Sequence, residues 1–420
     1  MKNPWIILIL FIACRTDPDT LSGASPKYET YDYSGFTKEE IYSFHRHLLE
    51  GGDLSRFYFL NFSEIETHSL IPRSDVPKTL EETPTEDVKN FITPTNLDTG
   101  GGLSLNEYIQ QAEVDGLIII HKGKIVFEGY PRMFPTDLHI NYSVSKIYVS
   151  TSIAILEDRG LVDTRQPIDY YFDELKGSGW EGVPVVDILA MSSGIDPASN
   201  GLLVDAASTS AEPIKALAAA KAVKPPGTEY DYMNLNIAML TLLVEEISGL
   251  VFSDYMEREI WRKIGSEYNG LLVVKANGIA ATYFGMSSTL RDLARFDLAF
   301  TPSGRKNSNP IISDDHLSKI LDVNKNLVEK SWYSDEMKHV GYQWDEIYDD
   351  GDFYKGGHAG QGLYISTSRD LVIAFYGTYN TDLEEHQLPV ISRHLPNQDA
   401  ARTGFYLPCL PFIYCIINLE

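Results

Sequence analysis

The chain has 420 residues, 43% apolar and 22% charged, the proportions of a globular protein with room for one large core or two smaller ones. Its formal net charge of −24 argues against nucleic acid and against electrostatic docking on anionic lipid. The only cysteines, Cys14, Cys409 and Cys415, form no CxxC pair and join no His/Cys cluster that would hold a metal.

The N-terminus carries Lys2 and then an apolar run over residues 5–13. That run is too short to span a bilayer and has the form of a signal-peptide core. Phe11-Ile12-Ala13-Cys14 resembles a bacterial lipoprotein box, although Phe in its first place is atypical. Two readings follow. In the favoured one, residues 1–13 are a signal peptide, Cys14 is lipidated and anchors the protein to a membrane, and residues 14–34 are a tether. In the other, a plain secretory leader carries a coincidental cysteine. A capping box at Thr37-Lys38-Glu39-Glu40 opens a helix that ends before Gly51-Gly52. His45 and His47 sit two apart on it and face different ways, a poor ligand pair.

Residues 35–103 read as an N-terminal extension. Within it, residues 56–65 have strand composition, and residues 72–102 are a long Pro-, Thr-, Asp- and Gly-rich loop. Ser104-Leu105-Asn106-Glu107 is a second capping box. It opens a main domain over residues 104–404. Residues 117–128 read as a hairpin turning at Lys122-Gly123. Residues 160–300 are mostly helical, with clear helices at 235–247, 252–264 and 290–300. Strand patterns return at 340–344, 363–366 and 371–376, and residues 383–394 can form a last helix. Residues 405–420 are an apolar tail with two prolines, in which a Cys409–Cys415 disulfide is possible. The order predicts an α+β fold: an antiparallel sheet built from both ends of the domain, flanked by helices, with a helical subdomain inserted and a cleft where the two meet.

Three segments carry chemistry. Ser143-Val144-Ser145-Lys146 opens an apolar helix that stops at Gly160. Positions i and i+3 share a helix face, so Lys146 can sit beside the Ser143 hydroxyl. A lysine dehydrated in a cleft loses its charge more readily and can take a serine proton. A second Ser-x-x-Lys, Ser303 to Lys306, lies in a breaker-rich loop and carries no such context. Tyr232-Met233-Asn234 stands at a loop-to-helix junction, where a phenol can relay protons and an amide can position a partner. Gly356-Gly357-His358-Ala359-Gly360-Gln361-Gly362 is a glycine-rich entry to a strand, where substrate can approach the backbone. Each segment alone also fits a structural role: a helix start, a turn tyrosine, a hairpin.

Ser-x-x-Lys, Tyr-x-Asn and His-x-Gly in this order resemble the serine β-lactamase-related hydrolases. These include class C β-lactamases, D-alanyl-D-alanine carboxypeptidases, family VIII esterases and 6-aminohexanoate-dimer hydrolases. Asn141-Tyr142-Ser143-Val144-Ser145-Lys146 is most similar to the last branch. The resemblance covers about residues 104–380 and implies a β-lactamase/transpeptidase-like fold. It implies Ser143 as nucleophile, Lys146 as its activating partner, Tyr232 as general base and acid, and Asn234 as a positioning residue. His358 and Gly360 would form the third motif, and the N–H groups of Ser143 and Gln361 the oxyanion hole. The run from Gly360 to Leu363 is about one residue short of the common pattern, which leaves the strand alignment open.

The expected activity is hydrolysis of a small ester or amide through an acyl-enzyme, by an exported cell-envelope protein, with no metal or organic cofactor. β-Lactamase or D-Ala-D-Ala carboxypeptidase activity, and a non-catalytic binding role, are the alternatives. A lysine in the third motif would attract a β-lactam carboxylate, whereas His358 is mostly neutral at pH 7. Five acids precede it: Asp345, Glu346, Asp349, Asp350 and Asp352. They either line the cleft and repel carboxylates or form a solvated loop away from it.

Overall fold

The structure, a computed structural model, describes residues 51–95, 97, 101–203, 212–276, 278–306, 310–322, 337–379 and 387–395. Cys14, the Thr37 capping box, His45, His47, Cys409, Cys415 and the apolar tail lie outside the described residues.

The first described element is helix α1, Gly52–Ile65, where the composition of residues 56–65 suggested a strand. Phe57, Tyr58, Phe59 and Phe62 have strand propensity, but spacing decides the outcome. Leu54, Tyr58 and Phe62 are buried one helical turn apart, with Phe59 beside them. β1 (His68–Ile71) follows. The long loop after it holds a two-residue strand, β2 (Glu81–Glu82), and one helical turn, Glu86–Lys89. The Ser104 capping box forms as expected: Glu107 N–H donates to Ser104 Oγ, and the Glu107 carboxylate accepts from Ser104 N–H. It opens α2, Leu105–Gln111.

The expected hairpin is β3 (Val114–His121) and β4 (Lys124–Gly129). After β5 (His139–Ile140), a 3-10 turn over Tyr142–Ser145 runs into α3, Lys146–Asp158. α3 is buried around nearly its whole girth, from Lys146 to Leu156, as befits a helix inside a large core. The Tyr232 junction leads into α4, Asn234–Ser248, which stops at Gly249 with φ 66°. The expected helix over 252–264 is present, with a π-helical turn at Glu257–Trp261. β6 (Gly270–Val273), β7 (Met286–Ser288) and α5 (Leu290–Asp297) follow.

Residues 340–344 are not one strand. β8 (Met337–Gly341) turns through Tyr342 and Gln343, with φ 49° and 75°, into β9 (Trp344–Tyr348). Two successive positive φ angles match the twist of a tight hairpin, which a period-two reading cannot see. β10 (Asp352–Gly357), β11 (Gln361–Ser366), β12 (Leu371–Gly377) and α6 (Leu388–His394) complete the described chain.

The strands form an eight-stranded sheet ordered β2-β4-β3-β12-β11-β10-β9-β8, antiparallel except for β2 on β4, and a four-stranded sheet ordered β1-β6-β7-β5. β3 pairs with β12, so both ends of the domain build the large sheet. Alternate residues of β3 serve two cores. Ile118 and Ile120 face the main core with α3, while Leu117 and Ile119 pack with Tyr108 and Ile109 of α2 and Leu388 and Ile391 of α6. Burial on both faces explains why the strand reads as an unbroken apolar run. The fold is the expected α+β sheet flanked by helices, with a mainly helical insertion. That insertion also lends β6 and β7 to the smaller sheet.

Candidate active site

Ser143 lies in the 3-10 turn ahead of α3, half-buried, and Lys146 is the first residue of the helix and almost fully enclosed. The turn is held from three sides. Ser145 Oγ accepts from Met286 N–H of β7 at 3.2 Å. Asn141 Oδ1 accepts from Tyr376 Oη at 2.8 Å. The ring of Tyr142, a bulky residue with φ 44°, packs edge-on against Phe59 of α1 and His358. A non-glycine residue in that region is strained, and such strain persists only where the surroundings enforce it.

Lys146 Nζ stands 2.9 Å from Ser143 Oγ and donates to Tyr283 O at 2.6 Å. It also lies 4.9 Å from the centroid of the Tyr232 ring. The three residues expected to act together are therefore together. The ammonium of Lys355 on β10 lies 5.1 Å from the same centroid. Lys355 is fully buried and bonds Asp345 Oδ1 at 2.5 Å, while Asp345 Oδ2 accepts from Gly356 N–H at 2.9 Å. The charges of both ammoniums act on the Tyr232 phenol.

This cluster shifts the acids and bases within it. Burial pushes the Lys146 ammonium below its usual pKa; the phenol opposes that and Lys355 adds to it. Burial alone would raise the Tyr232 phenol, but the charges of Lys146 and Lys355 outweigh it and hold the phenol below its usual value. Burial would lower Lys355, yet Asp345 and Tyr232 keep it above the ordinary lysine range. A buried lysine that gives up its proton early, next to a phenol that does the same, has the chemistry a proton relay at a serine hydroxyl would need.

His358 of the third motif sits in the turn after β10, half-buried, with its ring 5.2 Å from that of Tyr142, the residue before Ser143. The cation at the phenol is Lys355, three residues earlier. The signal for it was in the sequence: Lys355-Gly356-Gly357 is itself a Lys-x-Gly ending a strand. Gly360 has φ 100° and follows Ala359 at φ 58°, so its role is to close the turn. The Gln361 side chain also serves the turn rather than the cleft. Its Nε2 donates to His358 O and Gly377 O, both at 2.8 Å. Gly357 is the hairpin residue that presses on the nucleophile turn: a Cβ there would stand 2.8 Å from Asn141 O. Asn234 begins α4, two residues from Tyr232, with its Oδ1 buried and unpartnered.

Neither reading of the five acids holds for the group as a whole. Asp345 lines a small cavity behind the Tyr232 ring with Leu189, Met191, Tyr230, Tyr232, Trp344 and Lys355. Asp352 is buried against Arg369 at 2.6 Å and Tyr364 at 2.5 Å, Asp350 pairs with Arg393 at 3.0 Å, and Glu346 accepts from Tyr348. Ser303, of the second Ser-x-x-Lys, is tied to Asp370 by its hydroxyl and by its N–H, the latter at 3.0 Å. No group of three or more metal-ligating side chains occurs among the described residues.

The Beta-lactamase family model matches residues 105–391. A 6-aminohexanoate-dimer hydrolase of Paenarthrobacter ureafaciens is 25% identical over 268 residues, 60% of this chain and 67% of that one. Among solved structures, a Bacillus anthracis protein proposed to be a 6-aminohexanoate-dimer hydrolase aligns with a TM-score of 0.69 at 20% identity, over 81% of this chain and 92% of the other. A class C beta-lactamase mutant aligns with a TM-score of 0.54 at 14% identity, over 69% of this chain and 94% of the other. At these identities the structural likenesses speak for the fold.

Proposed function

The chain belongs to the Beta-lactamase family of serine hydrolases, and on that premise we propose that it cleaves an ester or amide bond through an acyl-enzyme on Ser143. The observation that carries this reading is the 2.9 Å approach of Lys146 Nζ to Ser143 Oγ, with the Tyr232 phenol beside the same ammonium. Neutral Lys146 takes the Ser143 proton as Oγ bonds the carbonyl carbon. The oxyanion so formed is held by the Ser143 N–H, at the head of the turn into α3, and by an N–H from the β10–β11 hairpin. The proton passes through Tyr232 to the leaving group as its bond to the acyl carbon breaks. Water then attacks the acyl-enzyme, gives its proton to the same relay, and Ser143 departs with a proton as the acid is released. Asn234 positions the relay or the substrate through its free Oδ1.

The test is covalent. A fluorophosphonate should label the wild type and the Ser143→Ala variant should stay unlabelled and inactive on 4-nitrophenyl esters. Ser303→Ala should label like wild type, since its hydroxyl is committed to Asp370. Labelling that survives Ser143→Ala would sink the mechanism. The proposal extends to location: the apolar leader and Cys14 support an exported, lipid-anchored protein.

A further inference from the structure

Lys355 is placed where a cation would bind an anionic substrate, yet its charge is already answered. Its ammonium is fully buried, bonded to Asp345 at 2.5 Å and in contact with Tyr232. Asp345 in turn is fixed by Gly356 N–H at 2.9 Å, and its side chain remains about 30% exposed. A substrate carboxylate approaching Lys355 would meet the carboxylate of Asp345 as well, and two like charges a few ångströms apart repel strongly where water is scarce. The hydrogen-bonding capacity left over in the same wall is neutral. Gln343 Oε1 and Trp344 Nε1 are both buried, both unpartnered and both on residues that line the small cavity shared with Asp345, Tyr232 and Lys355. Leu189, Met191 and Tyr230 line the same cavity.

We propose that Asp345 selects substrates by charge: by occupying Lys355 it cancels the cation that would hold a carboxylate and fits the site to acyl groups that carry no negative charge. This rests on the acyl-enzyme reading above. It keeps the outcome expected from His358 and changes the cause. Anionic substrates are disfavoured not because a lysine is missing but because the lysine is paired.

The test uses 4-nitrophenyl butyrate and 4-nitrophenyl hemisuccinate, acyl chains of equal length that differ by a terminal carboxylate. Each kcat/KM is divided by the spontaneous hydrolysis rate of that ester. Wild type should prefer the butyrate. Asp345→Asn should move the hemisuccinate-to-butyrate ratio upward by roughly 10–100-fold, the worth of one charged hydrogen bond. Asp345→Glu, which keeps the charge, should retain the wild-type order. The ratio is the readout because a general loss of Lys355 alignment lowers both rates and leaves it unmoved. A wild type that prefers the hemisuccinate, or an unmoved ratio in a folded Asp345→Asn variant, overturns the proposal. Fluorophosphonate labelling of Ser143 keeps the two readings apart: labelling with an unmoved ratio removes the role of Asp345 alone.

Discussion

Gly357→Ala is the sharpest probe of how β10 is seated on the nucleophile turn. The added methyl would stand 2.8 Å from Asn141 O and 2.8 Å from Gln361 Cβ, each 0.6 Å short of the 3.4 Å at which ordinary contact begins. Neither neighbour can swing away. The first is backbone of the turn that carries Ser143, and the second belongs to a side chain clamped by His358 O and Gly377 O. β10 and the turn must therefore part by several tenths of an ångström. A displacement of about 1 Å at reacting groups costs on the order of 100-fold in rate. Half of that displacement should lower kcat/KM by about tenfold, or about 1.4 kcal/mol. Overpacking should cost a further ~1–3 kcal/mol of stability. Ester kinetics beside a thermal melt separate the two effects. Gly201→Ala is the control, because nothing lies within 4 Å of its Cβ position. A folded Gly357→Ala enzyme with wild-type kcat/KM would refute the close approach.

Tyr232→Phe keeps the ring and loses the phenol, so kcat should fall by about 10²–10⁴-fold with KM little changed; a rise confined to KM would make Tyr232 a substrate contact instead. Because Lys146 and Tyr232 both titrate below their usual values, activity should rise with pH and be lost as pH falls through those lowered pKa values. Lys355→Met removes a charge that repels the Lys146 proton and stabilises the Tyr232 phenolate, so the rising limb of kcat/KM should move to higher pH; a limb that stays or moves down contradicts the coupling. Cys14→Ser should release the protein from membranes, since a diacylglycerol supplies the two chains that stable anchoring needs. Unchanged pelleting would point to another attachment.

The sequence was most legible where local chemistry and tertiary demand agree. The Ser104 capping box, the Lys122-Gly123 hairpin and the Ser143–Lys146 pair each join residues a few positions apart, and all three form. Legibility failed where distant partners decide. Residues 56–65 have strand composition, and only the four-residue spacing of Leu54, Tyr58 and Phe62, all buried in the main core, marks them as helix. The break at Tyr342-Gln343 hides behind residues that rarely adopt positive φ. Lys355 was passed over because its value comes from Tyr232 and Asp345, one far along the chain and one on the neighbouring strand. His358 drew attention instead as the more conspicuous residue of the same hairpin. Asp345 could be named in the sequence as one of five acids, but only the β9–β10 pairing singles it out.

The pairing of β3 with β12 has a consequence for how activity appears in time. Residues 114–121 wait for residues 371–377 before the central ladder can close, and Lys355 reaches Tyr232 only through strands on the late side of that seam. Closing so long a loop spends chain entropy before any contact repays it, and topologies dominated by such pairings fold slowly. The helix bearing Ser143 and Lys146 can form early, but it stays chemically idle until the C-terminal strands dock. Hydrolytic activity thus serves as a clock for the last step of folding rather than the first.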